Sequence, residues 1–202
     1  GELRGAGNSK YIGIHESWHI DSLPALARAF PQAKFIVMLR DPRGSINSLL
    51  GQAAERPEIR AQVISYARHF RKYIVLTHKF KRAPLFKDRL RVIRYEDTMA
   101  NPALVMEETC HFLGVDYDER MIDTKQYLDF STGSVWKGNS AFDKIVTGFD
   151  LQRSMRWKKT LSVETIAAIE FLCANEMKIA GYAPDNEINT DPVQVMNYLF
   201  HE

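Results

Sequence analysis

The chain has 202 residues, 45% of them hydrophobic, enough to bury a full core in a single domain. Its 27 basic and 25 acidic residues leave a net charge of +2, which speaks against bulk binding of nucleic acid or another polyanion and leaves anion specificity to a local pocket. Two cysteines, Cys110 and Cys173, both inside apolar helical patterns, form neither a disulfide framework nor a metal site, and no stretch reaches the roughly 18 to 20 apolar residues that span a bilayer. With no apolar signal core in residues 1–10, a reduced, cytoplasmic compartment is the default expectation.

In chain order, short apolar strands alternate with helices, the pattern of an α/β fold with a largely parallel sheet and helices on both faces. Residues 11–14 are expected to form a first strand. Asp21 or Ser22 is placed to cap a helix carrying Leu23, Leu26, Ala27 and Phe30, closed by Pro31. Residues 35–39 form the next strand, and the unbroken apolar run 36–39 predicts cover on both faces. Helices are expected over 43–53 and 59–81, the second with an apolar stripe through Val63, Ile64, Ala67, Phe70, Ile74 and Val75. A strand over 91–94 precedes a helix begun by Pro102 and stopped by Gly114. Residues 129–156 lack periodicity and form a long loop of the kind that is functional or disordered. A helix over 162–180, capped by Ser162, leads into residues 183–202, a tail that packs on the body or on a partner. The domain is assigned to residues 1–182.

The segment 34–48 carries the most chemistry. It reads as a buried strand ending in Arg40, at the carboxyl edge where ligands bind in open α/β sheets, with Ser48 about two turns into the following helix. Both side chains can reach one phosphate. In the alternative reading, Arg40 merely pairs with Asp41 or Glu55. Further along stand Arg-Tyr-Glu-Asp at 94–97, Asn101-Pro102, Phe-Leu-Gly at 112–114, Trp-Lys-Gly-Asn-Ser at 136–140, Arg-Trp-Lys at 156–158, Leu161-Ser162 and Gly181-Tyr182. Their order and spacing over about residues 11–183 resemble the sulfotransferases that use 3'-phosphoadenosine 5'-phosphosulfate (PAPS), in the branch that includes bacterial and tyrosylprotein sulfotransferases.

The resemblance implies a P-loop-like sulfotransferase fold and in-line transfer of a sulfuryl group from PAPS, as co-substrate and without a metal, to a hydroxyl or amine. It places Arg40, Ser48 and Arg156 at the 3'-phosphate and Tyr95 at the adenine, although an aromatic at a strand end is as often core. His15 occupies the place of the catalytic histidine or lysine and has a suitable pKa for a base, while Ser140 falls within about one residue of a serine that stabilises the transferring group. Glu16 reads as a solvated strand-end carboxylate, and the other histidines show no metal-ligand spacing. Lys144 and Arg153 are helpers or surface charge, Trp157 anchors its loop, and Arg43 reads as a helix-face charge. Trp18, Phe142 and Phe149 line an acceptor pocket or simply pack.

One departure stands out. The family carries, upstream of the matching region, a Lys-Ser/Thr-Gly-Thr-Thr-like loop that cradles the 5'-phosphosulfate, and this sequence has none. The Gly-rich stretch 5–10 precedes no helix pattern. A missing N-terminal part is the simpler expectation, and a degenerate relative the other. The acceptor is small-molecule, carbohydrate, lipid or peptidyl, with no nucleic acid. A non-catalytic module binding adenosine 3',5'-bisphosphate or a protein is the alternative function. A nucleotide kinase would need a Walker loop, which is absent from the sequence.

Overall fold

The computed structural model describes residues 11–15, 18–52, 59–129, 132–136 and 148–200. Two strands, β1 (Phe35–Leu39) and β2 (Leu90–Arg94), pair in parallel with Phe35 opposite Leu90 and Leu39 opposite Arg94. The helices are α1 (Leu23–Ala29), α2 (Pro42–Gln52), α3 (Ile59–Arg82), α4 (Tyr95–Ala100), α5 (Pro102–Leu113), α6 (Leu151–Ser154), α7 (Trp157–Thr160), α8 (Val163–Ala180) and α9 (Pro192–Phe200). The arrangement is α/β, with a small parallel sheet in a largely helical body.

Two apolar clusters hold it. The sheet-side cluster joins Val37, Phe35 and Leu39 to Ile20, Ala27, Phe80 and Phe86, so α1 and α3 cover one face of β1. On the other face, α5 reaches β2 through an ion pair between Arg91 and Glu108 at 2.6 Å. It leaves Ile36 and Met38 43% and 45% exposed, so the apolar run of β1 is covered fully on one face only. The larger cluster gathers Ile46 and Leu50 of α2, Val63 and Ala67 of α3, Ala168, Ile169 and Cys173 of α8, and Val195 and Leu199 of α9. Residues 183–200, set apart in sequence as a tail, therefore pack on the body through α9.

Helix ends follow their local chemistry. The Ser162 hydroxyl accepts the Thr165 amide at 3.2 Å, and Gly114 and Gly181 close α5 and α8 at φ 76°, a conformation that costs a side chain but not glycine. Neither Asp21 nor Ser22 caps α1. Ser22 is already helical, inside a 3-10 turn over Ile20–Ser22, and its hydroxyl donates backwards to the His19 carbonyl at 2.7 Å. Residues 11–15 form no strand but an exposed segment, with Ile14 81% exposed; a short apolar run makes no strand without a ladder partner. Across the start of the 129–156 stretch, Leu128 and Val135 form an isolated antiparallel bridge, and within it 151–154 is helical.

Among the described residues no helix is long and apolar enough to cross a membrane. Both cysteines are buried and unpaired. Burial, then the nearby Glu176 carboxylate, pushes the Cys173 thiol from 9.0 up to about 12. The folded chain thus keeps a proton there that the unfolded chain releases, so stability is lost as pH rises from about 9 towards 12. In urea titrations across that range, Cys173→Ala is expected to flatten the early part of the decline. Ile169→Ala, at a fully buried position in the middle of α8, is expected to cost about 2–5 kcal/mol at neutral pH.

Candidate functional site

The Asp-Pro-Arg-Gly run after β1 sets the site. Asp41 caps α2: its carboxylate accepts the Arg43 amide at 2.8 Å, and Pro42, which has no amide to lose, takes the first helical position. The first-turn donors of α2 are therefore partly used by the chain's own carboxylate. Anion capacity moves to the side of the helix, where Arg40 lies.

Arg40 stacks on the Tyr95 ring, its guanidinium carbon 4.2 Å from the ring centroid. On its other side is Gly44, where an added Cβ would stand 3.3 Å from Arg40 Nε and 3.2 Å from the Ser154 carbonyl oxygen. The guanidinium fits against the helix because residue 44 has no side chain. Ser48, half-buried, follows Gly44 by four residues and so shares its helix face. Arg40 Nε is buried and has no hydrogen-bond partner. Of the two partners weighed for Arg40 in the alternative reading, Asp41 is taken by Arg43, and Glu55 lies outside the described residues.

Arg43, which reads in sequence as a surface charge, is 5% exposed. Its guanidinium grips Asp41 with Nε at 3.0 and 3.2 Å and a terminal nitrogen at 2.6 Å, donates to Glu170 of α8 at 2.5 Å and to the Ala183 carbonyl at 3.1 Å, and stacks 4.1 Å from the Trp157 ring centroid. Burial alone would lower its pKa, but the Asp41 and Glu170 carboxylates outweigh that and raise it. Glu170 also accepts the Asp185 amide at 2.9 Å. A second strut is Glu96, which accepts the Asp41 amide at 3.0 Å and the Tyr182 hydroxyl at 2.9 Å. Burial, then Glu96, holds the Tyr182 phenol well above its ordinary pKa, so it stays a donor. The loop bearing Arg40 is tied in this way to the ends of β2 and α8.

The structure thus brings Arg40 and Tyr95 into contact and puts Ser48 on the same helix face as Arg40's seat. Arg156 opens α7 two residues after Ser154, and α7 is tied to α2 where Thr160 donates to Asn47 at 2.9 Å. His15 lies on the exposed 11–15 segment. Ser140, Glu16, Lys144, Phe142 and the 5–10 stretch lie outside the described residues. Trp157 is 1% exposed and Trp18 is exposed, its ring centroid 4.4 Å from that of His69. Sequence reasoning missed Gly44 and the support from Asp41, Arg43, Glu96 and Glu170. Only the glycine two residues after proline hinted at a close approach.

A cation clamped at the carboxyl edge of a parallel sheet, with a serine on the same helix face, can hold a phosphate dianion. Among the described residues no group of three or more His, Cys, Asp or Glu is arranged to hold a metal. Residues 4–119 match the model of the sulfotransferase family, and the chain belongs to that family. It is 22% identical over 159 residues to a protein-tyrosine sulfotransferase of Drosophila melanogaster, covering 77% of this chain and 31% of that one. Protein-tyrosine sulfotransferase 1 of Danio rerio is 22% identical over 180 residues, covering 87% and 49%. Carbohydrate sulfotransferase 5 of Mus musculus is 28% identical over 102 residues, covering 50% and 25%. The chain spans less than half the length of each of these relatives. Among solved structures, the sulfotransferase domain from the curacin biosynthetic pathway shares the fold, with a TM-score of 0.51 and 18% identity over 80% of this chain and 59% of that one.

Removing the Arg43 guanidinium would strand Asp41 and Glu170 without their counter-ion. Arg43→Ala is expected to cost about 3–5 kcal/mol in denaturant titration, and Arg43→Lys to restore little of it, because an ammonium cannot span three acceptors in a plane.

Proposed function

We propose that this chain binds PAPS and transfers its sulfuryl group, in line, to a hydroxyl or amine of a small-molecule, carbohydrate, lipid or peptidyl acceptor. The observation that carries the reading is Arg40: a guanidinium clamped between Tyr95 and Gly44 with its Nε buried and unpartnered. That unmet donor fits a phosphate oxygen, since buried polar groups are ordinarily paired. Arg40 and Ser48, with Arg156, would hold the 3'-phosphate, and Tyr95, already stacked on Arg40, would flank the adenine. The donor supplies an activated sulfuryl group, and this chain's part is to bind, orient and remove the acceptor proton. The roles of His15 as base and Ser140 as stabiliser rest on the family resemblance. The kinship with protein-tyrosine and carbohydrate sulfotransferases fits a tyrosyl or saccharide hydroxyl among the acceptors.

Calorimetric titration with adenosine 3',5'-bisphosphate tests the nucleotide site. Arg40→Ala is expected to weaken binding by about 10- to 150-fold, the worth of a charge-assisted hydrogen bond. Gly44→Ala, which crowds the guanidinium without touching its charge, should weaken it as well. Equal affinity in wild type and both variants would sink the assignment. In transfer assays with PAPS, His15→Gln is expected to lower kcat by about 100-fold or more while leaving nucleotide affinity unchanged.

A further inference from the structure

The small net charge conceals a marked segregation. α3 contains seven Lys and Arg residues and no Asp or Glu, which leaves 20 basic against 25 acidic residues in the remainder. Arg68, Lys72, Lys79 and Arg82 follow one another at spacings of four, seven and three, so they fall on one face of the helix, and all four are exposed. They span about 21 Å along the axis. Among the described residues, Lys72 has an acidic neighbour, Asp21 at 3.4 Å, and Arg68, Lys79 and Arg82 have none within ion-pair distance. Arg71, on the flank, is committed to Glu176 at 3.1 Å.

Exposed apolar groups accompany these cations. Val75 sits in the middle of the stripe and is 44% exposed, and Trp18, exposed as well, stacks on His69 of the same helix, next in sequence to Arg68. A purely soluble polyanion would be served by the cations alone. Cations interleaved with exposed aromatic and aliphatic side chains match a bilayer interface, where headgroups carry the negative charge and the acyl boundary accepts apolar groups.

Position separates this face from the nucleotide site. The chain passes from the end of α3 through a short 3-10 turn into the start of β2, so Lys79 and Arg82 lie towards the amino ends of the strands. Arg40 and Tyr95 follow the carboxyl ends of the same strands. A molecule held by the end of α3 would keep its nucleotide site turned away from whatever holds it.

We infer that the exposed face of α3 is a peripheral docking surface for a bilayer containing anionic lipid. The full chain is sedimented with vesicles of phosphatidylcholine alone and with mixed phosphatidylcholine–phosphatidylserine vesicles, at low and at physiological salt. Binding is expected to the mixed vesicles only, to weaken with salt, and to fall about 25-fold in the Lys79→Ala/Arg82→Ala variant, about fivefold for each cation removed. Thermal melting and nucleotide affinity should be unchanged in that variant, since both side chains are exposed and distant from Arg40; Arg68→Ala provides a second, single-site comparison. The inference is overturned by absence of binding to mixed vesicles, by equal binding to both vesicle types, or by wild-type binding in the variants. Binding to heparin or polyglutamate without binding to vesicles would assign the face to a soluble polyanion and overturn it too.

Discussion

A single buried guanidinium organises the functional end of this molecule. Desolvation works against the charge of Arg43, and the two carboxylates around it outweigh that cost to its charged form. What the arrangement supplies is registration. One side chain ties the turn after β1 to the middle of α8 and to the chain beyond it, and Glu96 adds a tie from that turn to the start of α4 and to Tyr182. Arg40 lies between these struts, and its conformation follows from them.

The same network explains why a short sheet suffices to present a site. Two strands alone would be marginal. Here their carboxyl ends are joined by a polar lattice whose members sit on α2, α4 and α8, so the short turn that carries Arg40 is held by rigid elements on either side. Charge is divided along the molecule in a comparable way. Paired, buried ions hold the upper end together, whereas along α3 three of the stripe's four cations have no acidic neighbour among the described residues and all four are exposed.

Much of this was legible in the residue pattern. β1 and α5 have the expected bounds, and α2, α3, β2 and α8 lie within one residue of them, because each is marked by period, proline, glycine or cap chemistry. The Arg40 to Ser48 spacing also foretold a shared helix face. Three things were not legible. Arg43 follows a proline at a helix start, where a charge ordinarily faces water, and two of the partners that enclose it, Glu170 and the Ala183 carbonyl, are 127 and 140 residues away. Residues 11–14 are a short apolar run, which says nothing about whether a ladder partner is in reach. The basic stripe is invisible to net charge, since 25 acidic residues elsewhere cancel it; it emerges only when the helix is given its 3.6-residue turn.

The carbonyl of Ala183, one residue past the boundary drawn in sequence, is an acceptor for Arg43, and α9 beyond it fills the main core with Val195 and Leu199. A chain shortened to residue 182 would therefore lose more than a tail. Its buried arginine would be short of an acceptor, the Asp185 amide that occupies Glu170 would be gone, and water would enter beside a guanidinium that two carboxylates now enclose. Ligand affinity at one end of the sheet and the packing of the last helix are thus two readings of one equilibrium, and tightening either should be felt at the other.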